Sequence, residues 1–125
     1  MKEREYGDYV EDILESIKAI EEFVEGMNFK DFEKDKKTVF AVIRSIEIIG
    51  EATKNIPTSI RNNNPKIPWK EMAGMRDKVI HEYFGVDLNV VWNTIKEKIS
   101  QIKPLMKDMI KNLDKNNNKL KQETK

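Results

Sequence analysis

One stretch of the chain, Gly74 to Gly85, reads GMRDKVIHEYFG and gathers residue types that do phosphate chemistry. It holds the only histidine of the sequence, His81, with Arg76 five residues before it, Asp77 beside the arginine and Tyr83 two residues after the histidine. Arginine is a permanent planar cation that grips phosphate through two parallel N–H groups. Histidine takes and gives a proton near neutral pH. Together they suffice in principle to cleave RNA without a metal. A base deprotonates the 2′-hydroxyl, which attacks the neighbouring phosphorus, while a cation stabilises the charge gathering on the phosphoryl oxygens. Tyr83 is a phenol of pKa about 10, a poor base but a usable hydrogen-bond donor.

On a helix, a spacing of five sets Arg76 and His81 about 140° apart and about 7.5 Å along the axis, so they share no face. Convergence on one cleft is expected only because the arginine is long and the helix is expected to end near His81. Arg76 and Tyr83, seven apart, would lie nearly in line if the helix continued. One histidine cannot easily serve as acid and base in the same step. Two copies across a two-fold axis would bring two histidines and two arginines to one cleft, so the chemistry itself calls for a homodimer. The competing reading is that His81 and Tyr83 merely cap and pack a helix end.

Stepping outward from the motif, the elements that must hold it read as helices. Gly (5) and Pro (4) are scarce in the 125 residues, which favours a few long helices over a turn-rich β sandwich. Tyr9, Ile13, Ile17, Ile20 and Val24 recur at spacings of three and four, with Gly26 placed to stop that helix. A second helix is expected from about Asp35 to Ile56, with Val39, Val42, Ile43, Ile46 and Ile49 as its stripe and Pro57 at its end. A short helical turn and a loop follow between Thr58 and Trp69. The next helix carries Met72, Met75, Val79 and Ile80 and ends at Gly85. Asp87 reads as the N-cap of a last long helix, with Val86 and Val91 as a hydrophobic staple. That helix buries Val91, Ile95, Ile99, Ile102 and Met106, and Pro104 should kink or interrupt it. The fold class is therefore all-α: an up-and-down bundle of three to four main helices plus short ones. It forms one domain over residues 1–113, with a polar, disordered tail expected at 114–125.

Composition excludes several classes. No run approaches the roughly 18 apolar residues of a membrane span. With no cysteine and one histidine, disulfides and most zinc sites are excluded, and neither a metal nor another cofactor is expected. The charged N-terminus, MKEREYGDY, lacks the apolar core of a signal peptide, so a cytoplasmic protein is expected. Charge is uneven: residues 1–51 carry 8 basic and 14 acidic side chains, residues 52–125 carry 15 and 8. A phosphate-bearing partner would favour the second half.

The motif and its flanks resemble the HepT branch of the HEPN superfamily. The signature residues are Arg76, Asp77, Lys78-Val79-Ile80, His81, Glu82 and Tyr83. The flanks are Glu47-Ile48-Ile49-Gly50-Glu51-Ala52, Ile67-Pro68-Trp69 and Phe84-Gly85-Val86-Asp87, and the likeness spans about residues 5–112. The resemblance implies a HEPN-like fold and a bacterial or archaeal homodimer whose paired motifs line one cleft. It further implies a metal-independent endoribonuclease toxin of a type VII-like toxin–antitoxin pair. Arg76 and His81 would be catalytic, with Asp77 in support. It also implies an MntA-like nucleotidyltransferase antitoxin that transfers AMP to Tyr83. A bulky negative nucleotide there would block the cleft and repel RNA phosphates. The substrate would be RNA, with tRNA among the candidates. Glu47 and Glu51, four apart on one helix face, could line the cleft or bond Arg76; pairing with Arg44, Lys54 or solvent is the plainer alternative.

Two other functions fit the same residues. One is a non-catalytic nucleotide- or partner-binding module serving a nucleotidyltransferase. The other is a structural adaptor exposing Trp69, Trp92 and Met106 to a partner.

Overall fold

The computed structural model describes the backbone of residues 5–83 and 87–123, and the side chains of residues 5–78 and 87–113. Among these residues there is no strand, and the all-α bundle expected from the sequence is what the chain forms. Four long helical elements build it: α1 (Tyr6–Val24), α3 (Lys36–Lys54), α5 (Trp69–Tyr83), and a continuous run made of α6 (Leu88–Asn93), a π-helical segment (Thr94–Ile99) and α7 (Ser100–Glu123). Short helices α2 (Phe29–Lys34) and α4 (Thr58–Asn63) fill the connections. α1 lies between α3 and α7, and α3 lies between α1 and α5.

The apolar stripes become one core. Ile13, Ile17 and Ile20 of α1, Val42, Ile46 and Ile49 of α3, Met72 of α5, and Ile99, Ile102 and Met106 of the last run are all almost wholly shielded from solvent. Each such side chain contributes roughly 1.5–3 kcal/mol through burial. α1 stops where expected: Gly26 adopts φ +74°, a left-handed backbone that a Cβ would disfavour. α3 opens on the N-cap Asp35, whose carboxylate accepts from the Thr38 N–H at 3.1 Å. That hydrogen bond holds the Asp35 carboxyl below the ordinary carboxylate range, helped by the Thr38 hydroxyl and by Lys37.

Two details depart from the expectation and one meets it. α2 was not anticipated. Its N-cap Asn28 accepts from the Asp31 N–H at 2.9 Å, while Asp31 accepts from the Asn28 N–H at 3.2 Å, a reciprocal cap. The short helical turn expected after Thr58 is α4, which takes in Asn62 and Asn63. Pro104 does not interrupt the last helix: it lies inside α7, where the Ser100 carbonyl merely loses its donor.

The irregularity falls upstream, at the π segment, and the sequence supplies a reason. Val91, Ile95 and Ile99 are spaced four and four, and all three are buried. In a regular α-helix each step of four drifts about 40° around the axis. A wider turn cancels that drift and keeps all three on the core side. Asp87 caps α6 as expected, accepting from the Asn89 N–H at 3.0 Å. Val86 and Gly85, the other parts of that junction, lie outside the described residues, as do the side chains of the polar tail from residue 114 onward.

Trp69, Trp92 and Met106 do not form the shared exposed patch an adaptor would need. Trp69 is buried and its Nε1–H donates to the Asn64 carbonyl at 3.0 Å; Met106 is fully enclosed. Trp92 packs against Phe32 at 5.2 Å and Phe29 at 6.3 Å between ring centroids, with the Lys96 ammonium 4.7 Å above its ring. Trp69 and Met106 belong to the core and Trp92 packs against it.

Candidate active site

α5 carries every residue of the motif, and α3 fixes where α5 sits. Gly50 of α3 faces Arg76 so closely that a Cβ on Gly50 would stand 3.0 Å from the Arg76 Cβ and 3.5 Å from both the Arg76 N and the Ala73 carbonyl. The two backbones touch here because glycine removes the side chain that would hold them apart. Arg76 is consequently half-buried, and its Nε is shielded from solvent without a hydrogen-bond partner. A buried guanidinium donor left unpaired costs free energy, and such a group is poised for an anion. Neighbouring Asp77 is exposed and, among the described residues, makes no ion pair with Arg76.

The two glutamates do not reach Arg76. Glu47 Oε2 instead pairs with Arg44 Nη1 at 3.2 Å along its own helix, the plainer of the two expected roles. Glu51 is exposed and holds no ion pair among the described residues; its carbonyl accepts from Asn55 Nδ2. Both remain on the α3 element that backs the arginine, but neither neutralises it.

The backbone of α5 stays helical through Tyr83. The helix thus runs two residues past His81, in keeping with an end near Gly85, and position 81 keeps a regular helical placement. With the helix intact, positions 76 and 81 stand about 140° apart and about 7.5 Å along the axis, whereas positions 76 and 83 lie within about 20° of one line. Positions 76 and 81 therefore fall on different sides of α5. The side chains of His81 and Tyr83 themselves lie outside the described residues, and no group of three or more metal-ligating side chains occurs among the described ones.

With this geometry established, comparison with known proteins identifies the relatives. The family model described as "Ribonuclease HepT-like" matches residues 13–109, which include α1 from Ile13 onward, the Gly50–Arg76 contact and the whole of α5. The chain belongs to the HepT-like ribonuclease family. A protein of Thermococcus cleftensis named "Probable ribonuclease HepT" is 59% identical over 100 residues, covering 80% of this chain and 91% of that protein. A protein of Caldanaerobacter subterraneus subsp. tengcongensis, named "Putative RNase", is 47% identical over 102 residues, covering 82% of this chain and 91% of its own. Another bearing that description, from Methanocaldococcus jannaschii, is 44% identical over 113 residues, covering 87% and 93%. No solved structure matches the chain.

Sequence reasoning found the HepT-like signature but not the reason its arginine is held firmly. Gly50 was visible only as part of a flanking motif, and nothing in one sequence says that Gly50 and Arg76 touch. Lys78 of α5 was visible only as a member of the motif and Lys98 of the π segment not at all, because no local pattern joins residues twenty apart.

Proposed function

We propose that this HepT-like chain is a ribonuclease that cleaves RNA without a metal, using Arg76 and His81 in a cleft between two copies. The observation that carries the reading is the half-buried Arg76, wedged against Gly50 with an unpaired Nε–H, in a chain of this family. His81 of one copy removes the proton from the 2′-hydroxyl, and the oxygen attacks the adjacent phosphorus. The P–O5′ bond breaks, and the leaving oxygen takes a proton from the His81 of the second copy. The products are a 2′,3′-cyclic phosphate and a 5′-hydroxyl. Arg76 stabilises the charge on the non-bridging oxygens, which a buried guanidinium does better than an exposed one. The 140° between positions 76 and 81 on one α5 is the physical argument for two copies, because a single helix does not aim both at one phosphate. Asp77 supports the pair at the rim.

In this reading the protein arrests growth, and a nucleotidyltransferase antitoxin silences it by joining AMP to the Tyr83 phenol. Tyr83 is nearly in line with Arg76 on α5, so an added phosphodiester would sit by the guanidinium and deny it to RNA. The test is expression in a bacterial host, alone and with a small nucleotidyltransferase. Expression alone should slow growth and His81→Ala should not. Co-expression should restore growth and add the mass of one adenylyl group to the wild type but not to Tyr83→Phe. Equal growth arrest by wild type and His81→Ala would remove the toxin reading, and an adduct on Tyr83→Phe would remove the modification site.

A further inference from the structure

Gly74 has no reason within the fold to be glycine. It lies in the middle of α5, where glycine costs about 1 kcal/mol relative to alanine. Its φ is not in the left-handed region, and a Cβ placed on it would meet nothing within 4 Å. Gly50 shows what a fold-driven glycine looks like; Gly74 is its opposite. Bare backbone facing open space is suited to close approach by something outside the chain.

That space is a groove of about 350 Å³ between α5 and the π segment, lined by Glu71, Gly74, Met75, Lys78, Thr94 and Lys98. Met75 and Thr94 are buried and form its floor. Lys98 Nζ reaches across to Glu71 Oε2 at 3.2 Å, with the two side chains 47% and 58% exposed. So exposed an ion pair is worth little and exchanges readily for another anion. Lys78 stands on the same wall, one turn before position 81, about 4.5 Å along the axis. Position 81 follows Gly74 by two turns, nearly in line. The groove thus runs along α5 toward the site of the catalytic histidine.

Resting on the ribonuclease reading, we propose that this groove is a subsite for one nucleotide of the RNA strand next to the scissile linkage. The base lies on Met75 and the bare backbone of Gly74, and the flanking phosphate lies between the ammonium groups of Lys78 and Lys98. Two cations against one carboxylate favour a polyanion, and the volume falls in the range of small-ligand sites. Glu71 competes with the phosphate for Lys98 and so sets how tightly the strand is held.

The test is binding of a fluorescently labelled single-stranded RNA to the full-length chain carrying His81→Ala, which separates binding from turnover, across a range of salt. In that background Gly74→Leu should weaken binding about tenfold by filling the groove. Lys78→Ala and Lys98→Ala should each lower the slope of log affinity against log salt by about 0.7, the value for one phosphate on a single strand. Glu71→Gln should tighten binding. A raised melting temperature for Gly74→Ala confirms that the position tolerates a side chain. If the parent binds RNA and both Gly74→Leu and Lys78→Ala bind equally well, the subsite is wrong while the ribonuclease reading stands. If Gly74→Leu changes the oligomeric state but not RNA affinity, the groove is an interface between copies and the proposal falls. If the parent does not bind RNA and the wild type does not cleave it, the ribonuclease reading itself fails.

Discussion

The two faces of α5 treat glycine in opposite ways. On the α3 side, Gly50 lets two helices close to a separation at which its own missing Cβ would stand 3.0 Å from the Arg76 Cβ. On the π-segment side, Gly74 meets nothing within 4 Å and opens a groove. The first face is packed and positions a charge; the second is an open groove. Glycine in a helix costs free energy wherever it occurs, and only the surroundings tell whether packing or binding offsets that cost.

Substitutions can break this contrast. The largest effect is expected at the packed face: Arg76→Lys should lower RNA cleavage by about 10²–10³-fold, because an ammonium lacks the planar two-pronged contact. Its unfolding midpoint should barely move; equal activity in Arg76→Lys would show that only a positive charge is needed. Next, Gly50→Val should destabilise the fold by about 1–3 kcal/mol through overpacking, measured by urea unfolding, and should reduce cleavage by moving the arginine. A smaller effect of opposite sign is expected across the helix, where Gly74→Ala should stabilise by about 1 kcal/mol. If Gly50→Val and Gly74→Ala shift stability in the same direction, the two faces are not different in the way described.

The smallest effect lies away from both faces, at the cap of α3. The Asp35 carboxyl is held low by its hydrogen bond from the Thr38 N–H, so its contribution to stability is present above the ordinary carboxylate pKa. That contribution is lost as pH falls through the depressed folded value. Asp35→Asn should keep the cap at neutral pH yet flatten the acid limb of the stability profile, read by thermal melts at stepped pH. An unchanged acid limb would mean that Asp35 is not one of the groups responsible.

Much of the scaffold was legible because periodic burial and punctuation agree. The stripe from Ile13 to Val24, the N-cap at Asp35 and the cap at Asp87 are local signals, and each stands in the structure where its chemistry puts it. α2 was missed although Asn28 and Asp31 carry a capping signal, since six residues give no periodicity to see. The π segment was hidden for a different reason: the four-four spacing of Val91, Ile95 and Ile99 reads as ordinary helix until the drift is counted. At the site, Arg76 could be named from its type and spacing, but its unpaired Nε and the close approach of Gly50 are long-range facts. The same holds for Lys98 facing Glu71 across the groove.

Whether Arg76 and His81 cleave RNA without a metal is decided by cleavage with the purified chain in excess chelator, set beside Arg76→Ala and His81→Ala. The wild type should leave fragments ending in 2′,3′-cyclic phosphate, and both variants should lose at least about a hundredfold with their folds intact. Undiminished cleavage by either folded variant, or cleavage by the wild type that stops when chelator is added, would contradict that metal-free role for the pair.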